Sequence, residues 1–127
     1  MIKSILIIYP IFNEENRLAK TFGDIEKFDK SYSSIKKEYI LVNDGSTDNT
    51  LLLIKKRFDK NKKVRIINYE KNRGKGFALK QGVQHAQNDW LLTTDADCSV
   101  SNLQLNDWLK KNYMNNINYI YFGSRNY

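Results

Sequence analysis

The chain has 127 residues, 41% of them hydrophobic, which is enough for one packed domain and too apolar for a disordered chain. A single cysteine, Cys98, excludes an intrachain disulfide and fits a reducing, cytosolic setting. The net charge of +7, from 21 Lys and Arg against 14 Asp and Glu, suits an anionic partner. No nucleic-acid motif accompanies it, so the expected partners are a membrane surface or an acidic substrate and not nucleic acid.

Ser4 to Tyr9 is short, apolar and rich in Ile, as in a strand buried on both faces. After Lys3 this run faintly resembles a signal peptide. Pro10 cuts it, no small-residue cleavage site follows, and Glu14-Glu15 come too soon. No stretch approaches the ~20 apolar residues of a spanning helix. The expectation is therefore a soluble chain, cytoplasmic or at the inner face of the cell membrane.

Asn13 to Phe28 is predicted helical, with Leu18, Phe22, Ile25 and Phe28 on one face and Asn13 as its cap. Tyr39 to Val42 is the second strand. Ser46 or Thr47 can cap the next helix, which carries Leu51, Leu52, Ile54 and Phe58. The cations Lys55, Lys56, Arg57, Lys60, Lys62 and Lys63 follow. They form either a solvated face and turn or a surface for anions. Val64 to Asn68 is the third strand, and Gly76 to Gln87 a helix with Phe77, Leu79 and Val83. Trp90 to Thr94 is the fourth strand. Ser101 caps a helix whose inner face includes Leu105, Trp108 and Leu109, and Tyr119 to Phe122 is the fifth strand. This alternation predicts an α/β fold, with a mostly parallel sheet covered on both sides.

In such sheets ligands bind outside the carboxyl ends of the strands. The polar clusters lie there: Pro10 to Glu15 after the first strand, Asn43-Asp44-Gly45-Ser46 after the second, and Asp95-Ala96-Asp97 after the fourth. Two carboxylates one residue apart at a strand end need a cation, a donor or a proton, or else solvent. A divalent cation shared with a phosphate meets that need. Asp44 directly follows its strand and either meets a base N–H or ribose hydroxyl, or belongs only to the turn that Gly45 and Ser46 build. Asn72-Arg73-Gly74-Lys75-Gly76 joins cations and glycines to a helix start, as a phosphate loop or as an ordinary basic loop. It lacks the Walker spacing. His85, the only histidine, reads as a surface residue, and Cys98 as a small filler whose acidic neighbours disfavour the thiolate.

Together, Tyr9-Pro10-Ile11-Phe12-Asn13-Glu14-Glu15, Val42-Asn43-Asp44-Gly45-Ser46-Thr47-Asp48, Asn72-Arg73-Gly74-Lys75-Gly76 and Asp95-Ala96-Asp97 resemble the inverting family-two glycosyltransferases of the GT-A fold. The ending Phe122-Gly123-Ser124-Arg125 looks most like the dolichyl- or polyprenyl-phosphate branch. The resemblance implies a Rossmann-like three-layer sandwich and a nucleotide-diphosphate sugar donor such as UDP-glucose. It places Pro10, Asn13, Glu14, Asp44, Ser46, Arg73, Lys75 and Asp95 at the donor. Pro10 and Glu14 line the nucleoside pocket, Asp44 lies near the base, and Arg73 and Lys75 lie near the nucleotide and its phosphates. Asp95 approaches the ribose or sugar. Asp97 binds Mg²⁺ or Mn²⁺, so that Asp95 and Asp97 are the candidate catalytic pair. The implied acceptor is a hydroxyl or a polyprenyl phosphate, with peripheral membrane contact.

Domains of that family usually continue well beyond the position matching Arg125. The chain therefore reads as the nucleotide-sugar-binding half, residues 1–127, with the acceptor site and catalytic base outside it. A non-catalytic nucleotide-sugar-binding module shares every motif. A pyrophosphorylase would need a glycine-rich loop where Pro10-Ile11-Phe12-Asn13 stands. A phospho-acceptor receiver would need an aspartate where Asn68-Tyr69 stands.

Overall fold

The computed structural model describes residues 3–31, 34–96 and 101–111. Among them, strands and helices alternate: β1 (Ser4–Ile11), α1 (Leu18–Lys30), β2 (Lys36–Asp44), α2 (Thr50–Phe58), β3 (Val64–Tyr69), α3 (Lys75–Val83), β4 (Trp90–Thr93) and α4 (Gln104–Lys110). The four strands form one all-parallel sheet in the order β3-β2-β1-β4. The predicted fifth strand, Tyr119 to Phe122, lies outside the described residues, as do Asp97, Cys98 and the segment 122–125.

The sheet is covered on both faces, giving the expected three layers. Ile5, Ile7, Tyr9 and Ile11 of β1 pack with Leu18, Ile25 and Phe28 of α1, Ile54 and Phe58 of α2, and Leu105 of α4. Leu6 and Ile8 face the other way and pack with Ile40, Val42 and Ala78 of α3. Period-two alternation thus feeds both cores from one apolar run, which is why β1 shows no polar face.

The chain steps from β1 to β2 to β3 in one direction, with α1 and α2 on one face. It then returns to β4 on the far side of β1, with α3 on the other face. Right-handed crossovers require that change of face when the direction reverses. The reversal opens a crevice at the carboxyl ends of β1 and β4.

Several boundaries differ from expectation, since β1 runs on through Pro10 to Ile11 and β2 spans Lys36–Asp44, taking in Asn43 and Asp44. α1 starts at Leu18, not Asn13, because Asn13 adopts a left-handed backbone (φ 49°) and the amides of residues 13–15 bond to side chains of Ser46, Thr50 and Asp48. For α2, neither Ser46 nor Thr47 is the cap. Asp48 Oδ1 accepts the Thr50 amide at 2.9 Å, while the Ser46 hydroxyl is used by Asn13. α3 ends at Val83, and Val83 is exposed. Its buried side is Ala78 and Gly82, and a Cβ on Gly82 would stand 2.6 Å from Ile8 Cγ2. The helix therefore sits close to β1 through small residues, and a bulkier apolar side chain has no room there. Nor does Ser101 cap α4 as predicted: the helix begins at Gln104 with Leu103 at the N-cap position and no side-chain cap, and the Ser101 hydroxyl accepts the Leu103 amide at 3.2 Å in the turn before it.

Candidate functional site

The loops after β1, β2 and β3 and the end of β4 meet in one cavity of about 500 Å³ at the carboxyl edge of the sheet. That is within the usual range for a small-molecule site. Its lining includes Pro10 near the end of β1, Glu14 from the loop after it, Asp44 from β2, Lys75 from the start of α3, and Asp95 after β4. Ile11, Phe12, Arg17, Asn72, Gly74 and Ala96 complete the wall.

The first two loops are stitched to each other. The Asn13 amide donates to Ser46 Oγ at 2.9 Å, and the Thr47 amide donates to Asn13 Oδ1 at 2.8 Å. The Glu14 amide donates to Thr50 Oγ1 at 2.9 Å, and the Glu15 amide to Asp48 Oδ2 at 3.3 Å. Glu15 in turn accepts the Asn49 amide at 3.1 Å. Asn13 and Ser46 thus face each other and hold the loops, and the cavity wall contains neither. Burial raises the Asp48 carboxyl, but hydrogen bonds from the Thr50 hydroxyl and from nearby amides outweigh it and hold the group below its ordinary range.

Asp44 organises the third loop. Its side chain is buried, and Oδ1 accepts the Arg73 amide at 2.9 Å. Oδ2 accepts the Gly74 amide and Asn72 Nδ2, each at 3.0 Å. Of the two sequence readings, ligand contact or local turn, the geometry adds a third role: Asp44 ties the end of β2 to residues 72–74. Gly45 makes the approach feasible, since its φ is +69° and a Cβ there would lie 2.3 Å from the Asn72 nitrogen. Gly74, at φ 94° and ψ 163°, occupies backbone space open almost only to glycine. Arg73 lays its guanidinium over the Phe77 ring, 5.1 Å from the centroid, and Phe77 meets Tyr69 edge-on at 5.3 Å. Burial, and then the Asp44 carboxylate, push the Tyr69 hydroxyl well above the ordinary tyrosine range. Arg73 thus braces the loop from outside and is not part of the cavity wall.

Two ion pairs line the cavity. Arg17 Nε lies 2.6 Å from Glu14 Oε2 on the β1 side. Lys75, at the amino end of α3, pairs with Asp95 at the end of β4. The Lys75–Asp95 pair is half-exposed, so solvent screens it and opening it costs little. The start of α3 adds backbone N–H groups and the positive end of the helix dipole beside the lysine.

The profile described as Glycosyl transferase family 2 matches residues 6–122. The chain belongs to that family. The dolichyl-phosphate beta-glucosyltransferase of Saccharomyces cerevisiae is 38% identical over 96 residues, a match covering 72% of this chain and 29% of the yeast enzyme. The chain thus spans less than a third of that curated relative's length. Among solved structures, residues 1–349 of S. aureus TarS in complex with UDP-GlcNAc match at a TM-score of 0.71 and 23% identity, over 84% of this chain and 30% of that one. The mannosyltransferase PcManGT of Pyrobaculum calidifontis, in complex with GDP-Man and Mn²⁺, matches at 0.63 and 24% identity, over 73% and 27% of the two chains. These likenesses show the Rossmann-like GT-A fold.

A divalent cation, if bound, would be held by carboxylates at the carboxyl edge of the sheet. Among the described residues no cluster of three His, Cys, Asp or Glu forms a cage. Asp95 is the described carboxylate at the end of β4, and Asp97 lies outside the described residues. Asp95, with no histidine or cysteine clustered beside it among the described residues, fits a cation that completes its shell with water and phosphate oxygens, the habit of Mg²⁺.

Sequence reasoning found the cavity residues Pro10, Glu14, Asp44, Lys75 and Asp95. It missed Asn72, Thr50 and the bracing role of Phe77. Asn72 sat in a quoted motif, but its target, Asp44, is 28 residues away in sequence.

Proposed function

We propose that this chain forms the donor-binding part of an inverting glycosyltransferase that moves a sugar from a nucleotide-diphosphate sugar, UDP-glucose or similar, to a polyprenyl phosphate. The observation that supports it most is the cavity where Lys75 and Asp95 face each other across the end of the sheet, in a chain of family 2. Pro10 and Glu14 wall the nucleoside, with Asp44 and the loop it holds at the base. Lys75 leaves Asp95 to take the diphosphate, and the freed Asp95 turns to the ribose or sugar. Asp97 would hold Mg²⁺ or Mn²⁺. That ion would supply positive charge against the diphosphate as it leaves.

The acceptor reading draws on the yeast relative, which is a dolichyl-phosphate glucosyltransferase. No described helix is long and apolar enough to cross a membrane. Contact with an anionic membrane surface would fall to Lys55, Lys56, Lys60 and Lys62, all exposed beyond the middle of α2. Arg57 and Lys63 of the same cluster are held by Glu26 and Asp29.

The test is a thermal-shift titration with UDP and GDP to millimolar concentration, with and without Mn²⁺. At a hundredfold excess over Kd, a ligand of the native state adds about 2.7 kcal/mol. UDP with metal should stabilise more than UDP alone. If neither nucleotide shifts the melting temperature, with or without metal, the proposal fails.

A further inference from the structure

A second polar cluster lies in the core beneath the cavity. On α1, Thr21 and Asp24 are three residues apart and share one face. Thr21 is fully buried and its hydroxyl donates to the Ala96 carbonyl. Asp24, 8% exposed, accepts the Ser101 hydroxyl and the Asn102 amide, the latter at 3.3 and 3.1 Å to its two oxygens. The Tyr9 hydroxyl donates to Asp24 at 3.4 Å, and Asn102 Nδ2 donates to that hydroxyl. Tyr9 and Asn102 are themselves buried.

Among the described residues the carboxylate forms no ion pair with a lysine or arginine, so neutral donors alone satisfy it. Two of those three donor groups, the Ser101 hydroxyl and the Asn102 amide, come from residues 101–102. Moving them away would leave a buried carboxylate short of partners, a costly state. The last ladder contact of β4 is the Thr94 amide on the Ile8 carbonyl. Beyond it, the backbone at Ala96 is held by α1 through Thr21.

We infer that Thr21 and Asp24 are positioning residues for the donor site: by gripping the chain at Ala96 and at Ser101–Asn102, they set the Asp95 carboxylate opposite Lys75. Neither touches the cavity, whose wall contains no residue of α1. The inference rests on the proposed function, because it assigns the grip to the metal-dependent part of donor binding. The nucleoside side, built by Pro10, Glu14 and Asp44, hangs on other contacts and is independent of it.

The experiment compares wild type with Thr21→Val, Thr21→Ser and Asp24→Asn. Titrations with UDP are made with and without Mn²⁺, folding is checked by circular dichroism, and amide hydrogen exchange is read at Asp95 and Ala96 in the free chain. Thr21→Val keeps the shape and loses the donor. It should reduce the Mn²⁺ enhancement of UDP affinity by about tenfold, the upper range for one hydrogen bond. Affinity for UDP alone should stay within about twofold. Thr21→Ser keeps the hydroxyl and should restore the enhancement. Asp24→Asn should act like Thr21→Val, and both should speed exchange at Asp95 and Ala96. A wild-type enhancement in Thr21→Val overturns the inference, as does an equal loss of affinity with and without metal. If wild type shows no Mn²⁺ enhancement, the donor reading fails by itself. The exchange data then decide the positioning role, and unchanged exchange at Asp95 and Ala96 in Thr21→Val overturns it.

Discussion

Asp44→Ala tests the central claim about the site, that one carboxylate builds the loop before α3. The substitution removes the acceptor for Asn72 Nδ2 and for the amides of Arg73 and Gly74. A hydrogen bond to a charged group contributes about 1.5–3 kcal/mol. Asn72 and Arg73 are exposed, so water can replace part of what is lost, and the low end applies. Three bonds at that level give a loss of about 3–5 kcal/mol. Set against a total stability of about 5–15 kcal/mol, the loss is severe. For a domain between the sizes usually tabulated, each 1 kcal/mol moves Tm by about 4 °C, so the expected fall is roughly 10–20 °C. Asp44→Asn keeps the shape and one acceptor but turns an amide donor toward a loop donor, and should fall about half as far. Thermal melts by circular dichroism measure both. Nucleotide affinity should drop with and without Mn²⁺ alike, because the loop and not the metal is disturbed. A fall in Tm below about 4 °C for Asp44→Ala would refute the reasoning, since it would mean that the loop holds its shape without its acceptor.

Gly45→Ala should destabilise by more than about 2 kcal/mol, because the new Cβ meets backbone atoms of Lys71 and Asn72 at a positive φ; a wild-type melting curve would contradict the close approach. The depressed Asp48 carboxyl stabilises the fold above its ordinary value of 3.8, and that contribution is lost as pH falls through the folded value. Asp48→Asn should therefore flatten the decline of Tm below about pH 4, which a series of melts from pH 7 to 3 measures. Lys37 is 3% exposed, lies 4.9 Å over the Phe28 ring, and has its ammonium pKa lowered by burial. Lys37→Met should leave Tm at pH 7 equal or higher, because a buried charge is costly even when partly compensated, and a fall of more than about 4 °C would show that the ammonium stabilises. Asp97→Asn should abolish the Mn²⁺ dependence of UDP binding and keep the fold, as titration calorimetry can show; a full metal effect in the variant would place the ligand elsewhere.

Local pattern determined the element types. The run Ile5 to Tyr9 could be satisfied only by burial on both faces, and β1 is buried on both faces. The spacing of Leu18, Ile25 and Phe28 makes one helical stripe wherever the helix starts, and all three are in the core. The alternation of such segments then forced parallel strands and brought the polar clusters to one edge. What the sequence left open were choices between partners far apart along the chain. Asn13 suits a helix cap by type, yet Ser46 and Thr47, more than thirty residues on, claim it instead. Asp44 could have met a ligand or belonged only to its own turn, and the three-dimensional approach of residues 72–74 gives its carboxylate a role that neither reading contained. Val83 and Gly82 are neighbours, and only the closeness of α3 to Ile8 buries the glycine and exposes the valine. Asp24 carries no signal at all in a helix of mixed charge, because its donors Tyr9, Ser101 and Asn102 are 15 to 78 residues away. Periodicity encodes which face is apolar, whereas the pairing of buried polar groups depends on how the loops close over one another, and that is settled only when the tertiary structure forms.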